Sequence, residues 1–499
     1  MKRTKHSLSH YKLLSCDMGE LVPIGLVEVL PGDTFQHATS LLVRVSPLLA
    51  PVMHPVHVRV HHWFVPHRLV WEDWEDFITG GPDGNDASAF PYIDVGVANT
   101  IGSLYDYLGI PNVNNIEVSA LPFRGYQLIH SEWYRDQDLV TAPTIDLTSG
   151  QDTTTDDTLQ KVAWEKDYFT SARPWTQKGD DVSVPIGSEA PVLGIGKLNQ
   201  TYNDGGTNVY ETGGSAATSY PASGAASVAW SVGANNQFQV EEDPNNSGFP
   251  YIRADLTQAA GASINDLRLA FALQRYQEAR ARYGSRYTEY LRYLGVRSSD
   301  ARLQRPEYLG GGRQTIQFSE VLQTAEGTNA VATLRGHGIG AIRSRRYRRF
   351  FEEHGYVFSL LSVKPKTMYS QGLRRTWNRR TKEDFWQHEL QHIGQQAVLN
   401  KELYAGHATP EGTFGYQDRY DEYRREESSI AGEFRQSSLN FWHMAREFSS
   451  DPTLNASFVE SVPTKRIHAV TSNDVLWIMA NHSIQARRMV SRKGTSHIF

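Results

Sequence analysis

The chain has 499 residues, 39% hydrophobic and 11% aromatic, with a formal net charge of −5 and one cysteine. A lone thiol excludes an intrachain disulfide framework and any multi-cysteine zinc site, and the net charge excludes a uniformly basic nucleic-acid binder. Mean hydropathy is −0.47, and the apolar run over residues 21–30 is broken by Glu28, so no membrane insertion is predicted.

Residues 1–6 (MKRTKH) are basic like the start of an export signal, but no apolar stretch or small-residue cleavage site follows. A cytoplasmic location is therefore expected. Residues 32–65 alternate: Val56, Val58 and Val60 fall on one face of a predicted strand, with His57, Arg59 and His61 on the other. Pro47, Pro51 and Pro55 punctuate the approach to it, and after Pro66 the spacing of Leu69, Trp74 and Phe77 predicts a short helix stopped by Gly80 and Gly81. Trp63, Phe64 and Trp74 are expected in or beside the core.

Further helices are predicted over residues 120–136 and 264–282. In the second, Leu267 and Phe271 step along one side, and Leu269, Leu273 and Tyr276 widen the apolar face. Strands return at 314–322, 356–363 and 466–471. Strands at both ends with helices and long loops between them predict a mainly β chain, a β-sandwich with insertions at its corners. No alternating βαβ pattern supports a parallel sheet. Residues 198–238 carry only two charges, Asp204 and Glu211, among small residues spaced by Tyr202, Tyr210, Tyr220 and Trp230. Composition alone permits a disordered linker, whereas the spaced aromatics suit a small β-rich excursion.

Several motifs imitate chemistry. His388-Glu389-Leu390-Gln391-His392 is formally HExxH, and a helix is expected here from Asp384 onward; on a helix the motif sets two zinc ligands one turn apart beside a general base. The longer signature fails, because Gln395 and Val398 stand where its glycine and third histidine belong. His54, His57, His61, His62 and His67 form no ligand set, since His57 and His61 on one strand face lie roughly 13 Å apart; polar-face histidines at an assembly interface are the reading adopted. Residues 336–341 (GHGIGA) imitate a dinucleotide loop, but the arginines that follow would crowd its helix, and a flexible loop is expected.

Those arginines carry the main candidate site. Arg343, Arg345, Arg346, Arg348 and Arg349 surround Tyr347 and precede Phe350 and Phe351. Guanidinium groups can neutralise phosphates while aromatic rings stack on bases, or the same arginines can pair with Glu352, Glu353 and other acids across a subunit boundary. A second basic region, Arg374, Arg375, Arg379, Arg380 and Lys382 around Trp377, has the same two readings, as do the basic ends of the chain. No catalytic, metal or cofactor-binding residue is expected, and no cofactor.

Longer motifs point to a family. Residues 57–81 (HVRVHHWFVPHRLVWEDWEDFITGG), 121–139 (LPFRGYQLIHSEWYRDQDL), 161–187 (KVAWEKDYFTSARPWTQKGDDVSVPIG), 303–312 (LQRPEYLGGG), 350–369 (FFEEHGYVFSLLSVKPKTMY) and 414–424 (FGYQDRYDEYR) follow one another in a fixed order. The chain resembles the major capsid protein of the microviruses, small single-stranded DNA phages, and most of all the gokushovirus branch. The resemblance implies an eight-stranded antiparallel jelly roll in a T=1 icosahedral shell of sixty copies around circular single-stranded DNA, assembled in the host cytoplasm. It also implies as partners an internal scaffolding protein, a small basic DNA-binding protein, a pilot protein and a host-cell surface receptor. Residues 196–262 are read as the family's variable insertion, a threefold protrusion for host attachment formed by Tyr202, Tyr210, Tyr220 and Trp230, within a single domain spanning 1–499. The rival readings are a secreted β-sandwich carbohydrate-binding protein or hydrolase, and a zinc hydrolase using His388 and His392.

Overall fold

The structure, a computed structural model, describes residues 3–96, 99–113, 115–182, 264–283, 286–297, 299–324 and 330–492, with short pieces at 192–193, 195–197, 238–240, 245 and 252–254. The chain divides into two compact units, Met1–Lys178 with Glu278–Phe499, and Gly179–Gln277. Residues Tyr202, Tyr210, Tyr220 and Trp230 lie outside the described residues.

The first unit is mainly β. Its long strands are, in chain order, β1 (His10–Cys16), β2 (Leu21–Val29), β3 (Thr34–Leu48), β4 (Val56–Pro66), β5 (Glu307–Thr315), β6 (Leu334–Arg343), β7 (Gly355–Pro365) and β8 (Leu476–Arg488). They make two antiparallel sheets. The larger runs β1-β8-β3-β6 and is extended by Gln317–Leu322 on β6, Tyr347–Phe350 on β3 and Thr4–Ser7 on β8. The smaller runs β2-β7-β4-β5.

Period-two patterning decides how they meet. Val56, Val58 and Val60 of β4 and Leu361 and Val363 of β7 share one core with Leu41, Val43 and Val45 of β3 and Ile478 and Ala480 of β8. Each such buried Val, Leu or Ile side chain contributes about 1.5–3 kcal/mol. The opposite face of the small sheet is buried too. Trp63 and Val65 of β4 and Phe358 and Leu360 of β7 pack with Leu121, Phe123, Tyr126 and Ile129 of the helix Leu121–Ile129, whose first turn carries a proline. That layout is compatible with the capsid β-sandwich the resemblance implies. Among the described residues no helix is long and apolar enough to cross a membrane.

Four expectations need correction. Residues 466–471 form turns, and the last strand is β8, where Trp477 and Met479 occupy outward positions and mask the alternation. Residues 336–341 are not a loop but the middle of β6; a Cβ on Gly336 would lie 2.3 Å from the Ala50 carbonyl oxygen, so the glycine permits close strand approach. The HExxH segment is not on an α-helix: Glu389–His392 is a single 3-10 turn with His388 ahead of it. The helix Ile264–Tyr283 forms, yet Leu269 and Phe271 are 68% and 62% exposed, so its apolar residues are not core. After Pro66 the chain makes a 3-10 turn at His67–Leu69, then the helix Trp74–Thr79, which stops at Gly80 with φ of 87°. Trp63 and Phe64 are buried, and Trp74 packs against the helix-side core.

Candidate nucleic-acid interface

The arginine cluster leaves the end of β6, turns, and returns as the strand Tyr347–Phe350 beside β3. Tyr347 pairs with His37, Arg348 with Gln36 and Arg349 with Phe35. Alternation turns Tyr347 inward and Arg348 out to solvent; Arg343, Arg345, Arg346 and Arg349 are exposed as well. Arg349 forms an ion pair with Glu307 at 2.6 Å, whereas Glu353 is held by Arg68 at 2.5 Å. Among the described residues Arg343, Arg345, Arg346 and Arg348 have no carboxylate at ion-pair distance. Within one subunit, pairing with Glu352 and Glu353 is therefore not what these arginines do.

The aromatic half of the expectation changes. Tyr347 and Phe351 are buried, so neither ring can stack on a base, while Phe350 is 48% exposed. The stacking surface lies instead on the outer face of the large sheet, which sequence reasoning missed. Cross-strand register sets Tyr11, Asn481, Ser40 and Arg343 in one row, Leu13, Met479, Leu42 and Ala341 in the next, and Ser15, Trp477, Arg44 and Ile339 in a third. These rows hold two arginines and no acid. Tyr11, Leu13 and Trp477 are 72%, 69% and 48% exposed. Exposed rings and guanidinium groups on one flat face can take up bases and phosphates without reading sequence.

The other basic groups separate by burial. Arg375 bonds to Glu402 at 3.0 Å and to the Ala397 carbonyl at 2.7 Å, Arg379 lies 3.6 Å from Glu422, and Arg374 pairs with Glu426; these hold the fold. Arg380 and Lys382 stay exposed. At the chain ends, Arg488 bonds to the buried Asp33 at 2.9 Å, and Arg3 lies 5.4 Å from the Phe350 ring while bonding to the Gly32 carbonyl at 2.9 Å.

Of the five histidines near the start of the chain, His54, His62 and His67 are buried inside the subunit and lie on no surface, while His57 and His61 are half-buried on the strand face they share. His62 is buried between the sheets, bonding Ser359 at 2.9 Å and Ser344 at 3.1 Å, and its ring lies 4.5 Å from that of His37. His37 meets the Tyr347 hydroxyl at 3.0 Å and the Thr39 hydroxyl at 3.0 Å; Thr39 reaches His482 at 2.9 Å; and His482 Nε2 donates to the Ile24 carbonyl at 3.0 Å. Neutral rings satisfy this chain with one donor per contact, and no carboxylate joins it. Burial lowers the pKa of His37 to about 3 and of His482 to about 4, and holds His62 well below its usual value. His54 and His67 are buried as well, both lowered to about 4 by burial. His61 bonds the Tyr134 hydroxyl at 2.7 Å. His388 and His392 are exposed, and among the described residues no group of three His, Cys, Asp or Glu could hold a metal ion.

A sandwich with no catalytic cluster in its described part and an arginine-bearing sheet face fits a structural protein, and sequence comparison decides which. The model of the family described as capsid protein (F protein) matches residues 1–496. The chain belongs to that family. It is 38% identical to capsid protein VP1 of Bdellovibrio phage phiMH2K, over 91% of this chain and 87% of the relative. It is 33% identical to capsid protein VP1 of Chlamydia phage 1, over 94% and 91%, and 31% identical to that of Spiroplasma virus 4, over 92% and 87%. These are the gokushovirus-like relatives the motifs pointed to. The chain is accordingly a structural capsid protein and not an enzyme, a component of the virion that assembles into a multimeric shell around the phage genome.

Proposed function

We propose that this capsid protein closes a T=1 icosahedral shell of sixty copies around circular single-stranded DNA, with its eight long strands forming a jelly roll. The strand order carries the reading. The long strands run β1-β8-β3-β6 within the seven-stranded sheet and β2-β7-β4-β5 in the four-stranded one, the order that a strand hairpin of four paired segments gives when it folds over itself, and this supports the jelly roll. Such a body presents stiff sheets and long corner connections, the longest between β4 and β5, as surfaces for heterologous contacts that close only under a suitable point group.

In this reading the outer face of the large sheet and the arginines Arg343, Arg345, Arg346, Arg348 and Arg349 face the genome. Among the described residues Arg343, Arg345, Arg346 and Arg348 are free of carboxylate partners, and only Arg349 is paired, with Glu307; this supports a phosphate-binding role. Residues 196–262 belong to the same domain as an insertion, meet by threes on the outer surface through Tyr202, Tyr210, Tyr220 and Trp230, and bind the host-cell receptor. Two charges in some forty residues leave that segment little core of its own, and association at an axis would offset its ordering entropy. Assembly takes place in the host cytoplasm with an internal scaffolding protein, a small basic DNA-binding protein and a pilot protein. Electron microscopy of purified particles tests the shell: uniform small icosahedra support it, and tubes, sheets or particles of mixed size contradict it. A linker replacing 196–262 should leave particles that assemble but adsorb poorly to cells; normal infection by them contradicts the attachment role.

A further inference from the structure

Two surface regions of the first unit have opposite charge and each displays apolar side chains. Between Arg68 and Arg124 the sequence contains no lysine or arginine, while acids recur throughout. Both flanking arginines are occupied internally, Arg68 by Glu353 at 2.5 Å and Arg124 by the buried Asp152 at 2.8 Å. Glu72, Glu75, Asp76, Asp83 and Asp86 are exposed, and none has an ion-pair partner among the described residues. In their midst stand Phe77, Ile78 and Phe90, which are 38%, 48% and 39% exposed. Phe77 rests on buried Trp71 at 4.8 Å and Phe90 at 5.4 Å, and the loop returns through the Asp86 N–H to the Gly80 carbonyl at 3.0 Å. The acidic lobe is thus a built surface with an apolar centre.

The second region is the arm at residues 374–386. It contains little regular structure yet is held firmly. Arg375 anchors its base, the Arg379 guanidinium lies 4.4 Å from the Tyr423 ring, and the Asp384 carboxylate accepts the N–H groups of Arg380 and Thr381 at 2.8 Å each. From this platform Trp377, Phe385 and Trp386 are 71%, 53% and 51% exposed. Arg380 has no carboxylate partner among the described residues, and Lys382, 87% exposed, meets only its neighbour Glu383 at 3.7 Å. Three large rings on a preordered segment with cations beside them have the composition of an interface centre. Ordering has already been met by the fold, so little entropy is lost on docking.

We propose that the aromatic arm of one copy seats on the acidic lobe of the next. Trp377, Phe385 and Trp386 meet Phe77, Ile78 and Phe90, while Arg380 and Lys382 face Glu75 and Asp76. Among the described residues no hydrogen bond or ion pair joins the two regions within a subunit. Because arm and lobe are different surfaces, the contact is made either twice across a twofold axis or head to tail about a threefold or fivefold axis, where the rotation closes a ring. The inference rests on the shell reading above and names one of its contacts.

Charge reversal tests it in the full-length chain. Glu75→Lys with Asp76→Lys reverses the lobe, and Arg380→Glu with Lys382→Glu reverses the arm; the fourfold variant carries both. All four side chains are exposed, so unfolding transitions of the subunits should match the unaltered protein. Sedimentation of expressed protein should show each reversal lowering the assembled fraction about tenfold, with the fourfold variant recovering most of it. Assembly of either reversal at the unaltered level overturns the proposal, as does a fourfold variant no better than its parents. Loss from the lobe reversal alone, with a silent arm, would assign the lobe to a basic partner instead. Failure of the unaltered protein to form closed particles would count against the shell, not against this contact.

Discussion

The small sheet is covered on both faces, by the large sheet on one side and by the helix Leu121–Ile129 with its neighbouring chain on the other. Among the described residues the large sheet is covered on one face only, and its outward positions carry Tyr11, Leu13, Arg44, Arg343 and Trp477. Both sheets follow the same two-residue period. What differs is whether the chain supplies a second layer from its own insertions. The small sheet completes its core within the subunit, whereas no described residue of the chain covers the outer face of the large sheet.

The sharpest break in that comparison would come from paired substitutions at outward positions. Phe358→Ala, beneath the helix and fully buried, should destabilise the unassembled subunit by about 3–5 kcal/mol in urea unfolding. Trp477→Ala on the large sheet should stay within about 0.5 kcal/mol. A loss at Trp477 approaching that at Phe358 would mean its face is covered within the subunit after all.

Acid should attack the space between the sheets. His37 and His482 are neutral in the fold, with pKa values lowered to about 3 and about 4 from 6.5, so the unfolded chain takes up protons first as pH falls. Their stabilisation is complete above pH 6.5 and is lost as pH drops through the interval down to about 4. The loss is on the order of 3 kcal/mol for each ring. Unfolding midpoints followed against pH should fall across that window, and His482→Gln should flatten the slope by about one proton. A midpoint that is level from pH 6.5 to 4 would contradict the neutral network.

Smaller effects separate the two faces of the strand Tyr347–Phe350. Tyr347→Phe removes the hydroxyl bonded to His37 and should cost about 1–3 kcal/mol in the same assay, because a buried ring nitrogen is left without its partner. Arg349→Ala, one half of an exposed pair with Glu307, should cost about 0.2–1 kcal/mol and less in high salt. An Arg349 effect as large as that of Tyr347 would erase the distinction between inward and outward positions there.

The sequence made β4 legible because Val56, Val58 and Val60 alternate with polar residues, and only one face of that stretch is apolar. It hid β8, where Trp477 and Met479 stand on the outward face and His482 on the inward one, so that neither face reads as clean. It hid β6 because Gly336, Gly338 and Gly340 look like a loop until Ala50 and Val45 are seen to press against them. The arginines were visible as a cluster, but which neighbouring rings could reach a base depended on strand pairing. Tyr347 turns inward to His37, and the exposed rings come from β1 and β8, at opposite ends of the chain. The histidine network was out of reach for the same reason: His37, His62 and His482 are brought together only by the packing of two sheets.

The claim that the bare sheet face and its arginines meet the genome is tested most directly by the DNA content of particles carrying Arg345→Glu, Arg346→Glu and Arg348→Glu together. Shells of normal size should form and sediment with a reduced nucleic-acid-to-protein absorbance ratio, because contacts that release counterions have been made repulsive. Normal DNA content in those shells, or a failure of the shells to form while the subunit remains folded, would contradict it.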